Sequence, residues 1–451
     1  MPVFAARTQD STQLNREFQK AVAQYDSGQF PEAAKQLESL LSEAPESFDV
    51  QELLGMVYAA ESDDVKANPH LAKAARLKPD STAAHTNLAT NLLRLRKAAS
   101  AETEFKKAVE LEPHGYDTNH NLGEFYVAVG KIVEAVPYLA TAQQIHPAAY
   151  DNGYDLSLAY LETGHLGDAR HLVRNLLEQK NTAELHNLLA QVEEKDSNYL
   201  AAVNEYETAA HMDPTESNLF DWGSELLLHR TLDAAVQVFQ SATERYPNSP
   251  RLAVGLGMSL YSRGNYDDAV KALLRASDLN PSDPRCYYFL SKAYDSSPSQ
   301  AAEVIEHFRR FAELQPADSR APYYYAMSVW KGRRTGGGDL DVLQIEALLK
   351  KAVALDPNFA DAHLQLGNLY SDQRLYSQAI PEYERALQVN SNLADAHYRL
   401  GQAYVHTGQK ELAQKELEIY QRVRAEHMAE LDKQRAEIRQ FVVSERQGAK
   451  Q

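Results

Sequence analysis

The 451-residue chain is 44% hydrophobic and 24% charged with no low-complexity tract, a composition that excludes a disordered chain and suffices to bury a core. Its 46 Lys and Arg stand against 63 Asp and Glu, and the net charge of −17 disfavours nucleic acid and anionic membrane as partners, since a phosphate-binding surface needs clustered cations. The single cysteine, Cys286, excludes an intramolecular disulfide and a cysteine-based zinc cluster, and no apolar run approaches the length needed for membrane insertion.

Residues 1–13 read as an N-terminal arm. The opening MPVFAARTQDS lacks the basic start and long apolar stretch of an intact signal peptide, yet Val3-Phe4-Ala5 resembles the small-residue end of a cleavage site. Two readings stay open: the remnant of a signal peptide on a bacterial-type periplasmic or secreted protein, and an ordinary cytoplasmic start.

From Leu14 to Ala425 one pattern recurs about every thirty-four residues, most plainly in ADAHLQLGNLY from Ala360 and ADAHYRLGQAY from Ala394. With Ala360 and Ala394 as position 1, position 8 is small in all twelve copies: Ala21, Gly55, Ala89, Gly123, Ser157, Ala190, Gly223, Gly257, Ser291, Ala326, Gly367 and Gly401. Position 20 is alanine in ten copies, from Ala33 to Ala413, and gives way only at Val304 and Ile345. Nine of the chain's 18 prolines, from Pro45 to Pro357, fall at position 32. Each copy reads as two amphipathic helices, with apolar stripes at positions 4, 7, 8 and 11 and at 20, 24, 27 and 28. Gly28, Gly130, Gly164, Gly264 and Gly408, near position 15, mark the end of the first helix, and the proline at 32 closes the second. One such pair cannot cover its own stripes, so neighbours must stack.

A thirty-four-residue period with Leu at 7, Gly at 8, Tyr at 11, Ala at 20 and 27 and Pro at 32 resembles the tetratricopeptide repeat, most cleanly through Leu256, Gly257, Gly264, Tyr266, Ala269, Ala276 and Pro281. The resemblance implies an all-α fold, an α-solenoid forming a right-handed superhelix of about twelve stacked helix-turn-helix units over residues 14–425. Departures occur at Asn181 and Ser391, which replace the proline, at residues 292–304, which drift by one position, and at the insertion KGRRTGGGDLD after Trp330. Residues 426–451 continue with helix-forming residues and are expected to form a C-terminal capping helix.

Candidate chemistry is sparse. His85, His186, His363 and His397 share position 4, where the resemblance turns them toward the second helix of their own unit. A metal site would need three or four converging ligands, so packing is the expected role. No hydrolase, zinc-protease or nucleotide-binding motif is present, and no catalytic residue, cofactor or metal is expected. Lys331, Arg333 and Arg334 make the inserted loop basic and glycine-rich without the order of a phosphate-binding loop.

In this family the first helices line a concave groove through positions 2, 5, 9, 12 and 13, where partner peptides or helices lie. The resemblance therefore implies a non-catalytic protein-interaction scaffold whose groove includes Thr86, Thr90, His120, Glu124, Tyr154, Leu158, Phe220, Val254, Met258, Trp330, Leu364, Asn368, Tyr398 and Gln402. The carboxylate clamp of chaperone-binding members is not assembled: Asn87 and Asn121 stand at position 6, but Glu52 and Thr86 precede them at 5, and Met56 and Thr90 at 9. The alternative is a module of an enzyme or carbohydrate-handling complex that uses the loop at 331–341.

Overall fold

A computed structural model describes residues 3–297, 299–332, 340–426 and 428, with side chains from residue 13 onward except at 340. Among them are twenty-three helices, from Val3–Asp26 to Ala394–His406, and a further helical stretch over 410–426, with no strand. The chain divides into two compact units, Met1–Pro214 and Thr215–Gln451. Each is a stack of antiparallel helix pairs in which a first helix packs on the second helix of its own repeat, and first helices of successive repeats also touch. The segment read as a capping helix lies almost wholly outside the described residues, as do Arg333 and Arg334 of the inserted loop.

Local chemistry sets the ends of these helices. Ser47, Ser81, Thr182, Thr215, Ser249 and Asp283 cap first helices, each accepting a hydrogen bond from a backbone N–H of the opening turn. The prolines at position 32 follow the cap residue of the second helix, as Pro45 follows Ala44 and Pro79 follows Lys78. They cannot extend the ladder, so the chain turns there.

The turn between paired helices departs from the glycine rule. Gly28, Gly130, Gly164, Gly264 and Gly408 adopt φ between 74° and 94°, and Ser62, Arg96, Ser197, Arg230 and Arg374 adopt φ between 58° and 62° at the same register position. The turn is thus left-handed whether or not glycine fills it. A six-residue backbone bond closes it in both kinds, from Gln29 N–H to Gln24 at 2.8 Å and from Leu375 N–H to Tyr370 at 2.8 Å.

Close approach of the paired helices rests on position 8. A Cβ on Gly123 would lie 2.5 Å from Leu139, one on Gly257 2.5 Å from Leu273, and one on Gly367 2.6 Å from Tyr383, all at position 24 of the same repeat. The alanines at position 20 lie at the same seam. Ala33, Ala67, Ala101, Ala135, Ala169, Ala202, Ala235, Ala269 and Ala379 have no exposed surface, nor do Val304 and Ile345 where alanine is replaced.

Position 4 carries a polar link. Nδ1 of His85, His363 and His397 donates to Glu104, Glu382 and Glu416 at 2.6 Å, nineteen residues on, and His186 makes the same bond to Glu205 at 2.5 Å. Nε2 of His85, His363 and His397 meets the carbonyls of Pro79, Pro357 and Ser391 at 3.0–3.2 Å. Gln51, Asn119 and Tyr287 reach the carbonyls of Pro45, Pro113 and Pro281 from the same position. Where position 4 is Ala253, Arg275 donates to Pro247 instead. The link satisfies a carbonyl at a helix end that has no intrahelical partner.

Candidate functional site

The register places positions 2, 5, 9 and 12 of a first helix on one face, and in the second unit three such faces meet. Tyr288, Lys292 and Asp295 come from Pro284–Ser296, Arg320, Tyr323, Met327 and Trp330 from Arg320–Gly332, and Asp361 and Asn368 from Ala360–Asp372. All of these but Trp330 and Asn368, together with Ser291, Tyr294, Phe308, Tyr324, Ser328, Phe359 and Gln365, line a cleft of about 370 Å3. Trp330 and Asn368 line a neighbouring one of about 340 Å3 that shares Asp295, Met327 and Gln365 with it.

Aromatic rings dominate the wall. Tyr323 lies with its ring centroid 4.9 Å from Phe359 and 5.7 Å from Tyr324, and Tyr324 is backed by Phe308 at 5.8 Å. Tyr288 keeps 46% of its surface exposed, with the Lys292 ammonium 5.8 Å from its ring centre. Burial, reinforced by the carboxylates of Asp361 and Asp295, pushes the Tyr323 phenol above its usual range, and burial pushes Tyr324 up to about 12. Both therefore stay protonated donors near neutral pH.

The charges on the wall are mostly answered within the chain. Arg320 clamps Asp318 through Nε at 2.9 Å and a terminal nitrogen at 2.7 Å. Lys331 lies 3.6 Å from Asp295 and also donates to that residue's backbone carbonyl. Lys331, the one cation of the basic loop among the described residues, is thereby tied back to the first helix of the preceding repeat.

The other residues singled out from the sequence are spread along both units. In the first, Thr90 is exposed beside a cleft of about 470 Å3 lined also by Tyr25, Met56, Asn87 and Arg94, and Thr86 is half-buried one turn away. His120 donates to Asn152 at 3.0 Å, stacks on Tyr116 at 5.3 Å and faces the exposed Glu124 at 3.5 Å. Tyr154 and Leu158 are half-buried against the apolar core of repeats five and six. In the second unit the Phe220 ring carries the Arg251 guanidinium at 4.9 Å, Val254 and Met258 are half-buried, and Tyr398, 39% exposed, packs on Tyr420 at 5.3 Å. Gln402 is half-buried, whereas Leu364 and Asn368 are 6% and 9% exposed, and Asn368 accepts a hydrogen bond from the Tyr383 hydroxyl at 2.9 Å. Asn87 is held by Glu52 at 3.3 Å.

Both ring nitrogens of His85, His186, His363 and His397 face oxygens of the fold. Among the described residues no group of His, Cys, Asp and Glu is arranged to hold a metal ion, and no helix is long and apolar enough to cross a membrane. Sequence reasoning missed Tyr288, Lys292, Asp295, Tyr323 and Asp361, although each stands at position 2, 5, 9 or 12 and the same register rule reaches them.

Models of the tetratricopeptide repeat match residues 18–82, 126–192, 226–293 and 348–380, and a TPR repeat model matches residues 376–408. No curated protein matches significantly. Among solved structures, the chain is similar to Naa15/Naa10 bound to HypK-THB, with 16% identity, 90% of this chain and 68% of that one covered, and a TM-score of 0.42. It is similar to YrrB, a TPR protein with an unusual peptide-binding site, at 19% identity over 41% of this chain and 96% of that one, with a TM-score of 0.35. It is also similar to the C-terminal part of a TPR repeat-containing protein from Cytophaga hutchinsonii, at 15% identity over 54% of this chain and 97% of that one, with a TM-score of 0.45. With helix pairs in one register and family models matching in both units, the chain belongs to the tetratricopeptide repeat family, whose members typically serve as protein-interaction scaffolds.

Proposed function

We propose that this protein is a non-catalytic scaffold that holds segments of partner proteins against its first helices, with the cleft of repeats nine to eleven as a principal holding point. One observation carries the reading: side chains at positions 2, 5, 9 and 12 of three successive repeats converge there with aromatic faces left open. Aromatic anchors in a partly desolvated pocket are the residues that most often dominate partner affinity. The groove residues Phe220, Met258 and Tyr398 extend the holding surface along the same register.

The test is capture of partners by the full chain from its native host, comparing wild type with Tyr288→Ala/Tyr323→Ala. Captured partners are expected to fall by about tenfold, the scale of a lost aromatic anchor, with helical circular dichroism unchanged. An unaltered partner set in a folded double variant contradicts the reading.

A further inference from the structure

We propose that the segment held in the cleft of repeats nine to eleven is proline-rich and extended, in the polyproline II conformation. The inference rests on the groove reading above and names the chemistry of its occupant.

The open hydrogen-bonding groups of the cleft are mainly tyrosine hydroxyls, with the Asp361 carboxylate as an acceptor among them. The hydroxyls of Tyr288, Tyr323 and Tyr324 have no hydrogen-bond partner among the described residues. Several tyrosines elsewhere in the fold are engaged, since Tyr126 donates to Glu102, Tyr287 to Pro281, Tyr370 to Glu346 and Tyr404 to Glu384 at 2.6–3.1 Å, whereas the buried hydroxyls of Tyr150 and of Tyr294, which also lines the cleft, have no hydrogen-bond partner among the described residues. A polyproline segment brings backbone carbonyls and no N–H, so it offers acceptors where the cleft offers donors.

The shape and charge agree with that chemistry. Tyr323 set against Phe359 and Tyr324, with Tyr288 open beyond, presents flat apolar faces on which rigid pyrrolidine rings pack, and such a segment is pre-extended before it binds. Arg320 and Lys331 are already answered by Asp318 and Asp295. Lys292 and Asp361 on the rim are one charge of each sign, so the cleft calls for an uncharged occupant.

The experiment uses the full chain and a fluorescent peptide of about ten prolines, roughly 30 Å long as polyproline II. Glycine-serine and arginine-containing peptides of equal length are the controls, with anisotropy as the readout. The proline peptide is expected to bind about tenfold more tightly than either control. Tyr323→Ala is expected to weaken it about tenfold, and Tyr288→Phe/Tyr323→Phe, which keeps the rings and removes two donors, by several-fold. Equal or tighter binding of a control peptide, with the same sensitivity to Tyr323→Ala, overturns the polyproline assignment and leaves the groove reading standing. Proline binding indifferent to both sets of variants places the peptide elsewhere and overturns it too. No binding of the proline peptide by a chain with native circular dichroism overturns the polyproline assignment, and the partner capture described above then decides the groove reading.

Discussion

Arg374 sits at φ 61° in the turn between Ala360–Asp372 and Tyr376–Val389, a backbone region where any Cβ is crowded. Its side chain is exposed, so replacement removes strain without removing packing. Arg374→Gly is expected to stabilise the second unit by about 0.5–1 kcal/mol, the relief of the left-handed strain less the entropy glycine adds to the unfolded chain. Chemical denaturation followed by circular dichroism checks this, and a lower midpoint in the variant contradicts it. The same argument applies at Ser62, Arg96, Ser197 and Arg230, whose φ values are alike.

At the scale of the helix pair, glycine at position 8 is a matter of space. The Cβ of Gly257→Ala would lie 2.5 Å from Leu273, a buried residue at the centre of its own helix, so one helix must shift or a rotamer must be forced. Overpacking of this kind is expected to cost about 1–3 kcal/mol. A variant as stable as wild type would mean that the pair relaxes freely, as repeats with Ala21, Ala89, Ala190 and Ala326 at this position have done by other means. The helices, their seams and the terminating prolines were legible in the sequence because each leaves a residue type at a fixed position. The left-handed turn was legible only where glycine fills it, since Ser62 or Arg96 carries no such mark. The position 4 link was legible in its histidines but not in its partners, because a glutamate nineteen residues on gains meaning only once the two helices are paired. The groove positions were legible as a register, and Tyr288, Tyr323 and Asp361 follow from it. Phe359 and Tyr324 do not: they stand outside the groove positions and reach the cleft through ring packing on Tyr323.

For the molecule as a whole, repetition supplies the frame and departure from repetition supplies the surface. Buried alanines and paired leucines recur through both units, whereas the aromatic wall at Tyr288, Tyr323 and Trp330 belongs to one place in the second. Lys331, where the insertion begins, is fixed to Asp295 of the cleft. The most direct measurement is site-specific photo-crosslinking in the native host, with a photoreactive aromatic residue placed at Tyr288 in the cleft or at Leu343, which is 66% exposed on the second helix of repeat ten. Discrete adducts are expected at position 288 and not at 343, and they should disappear when Tyr323→Ala is added. Equal adducts at both positions, or adducts at 288 that persist with Tyr323→Ala, would contradict the assignment of this cleft as the place where partners are held.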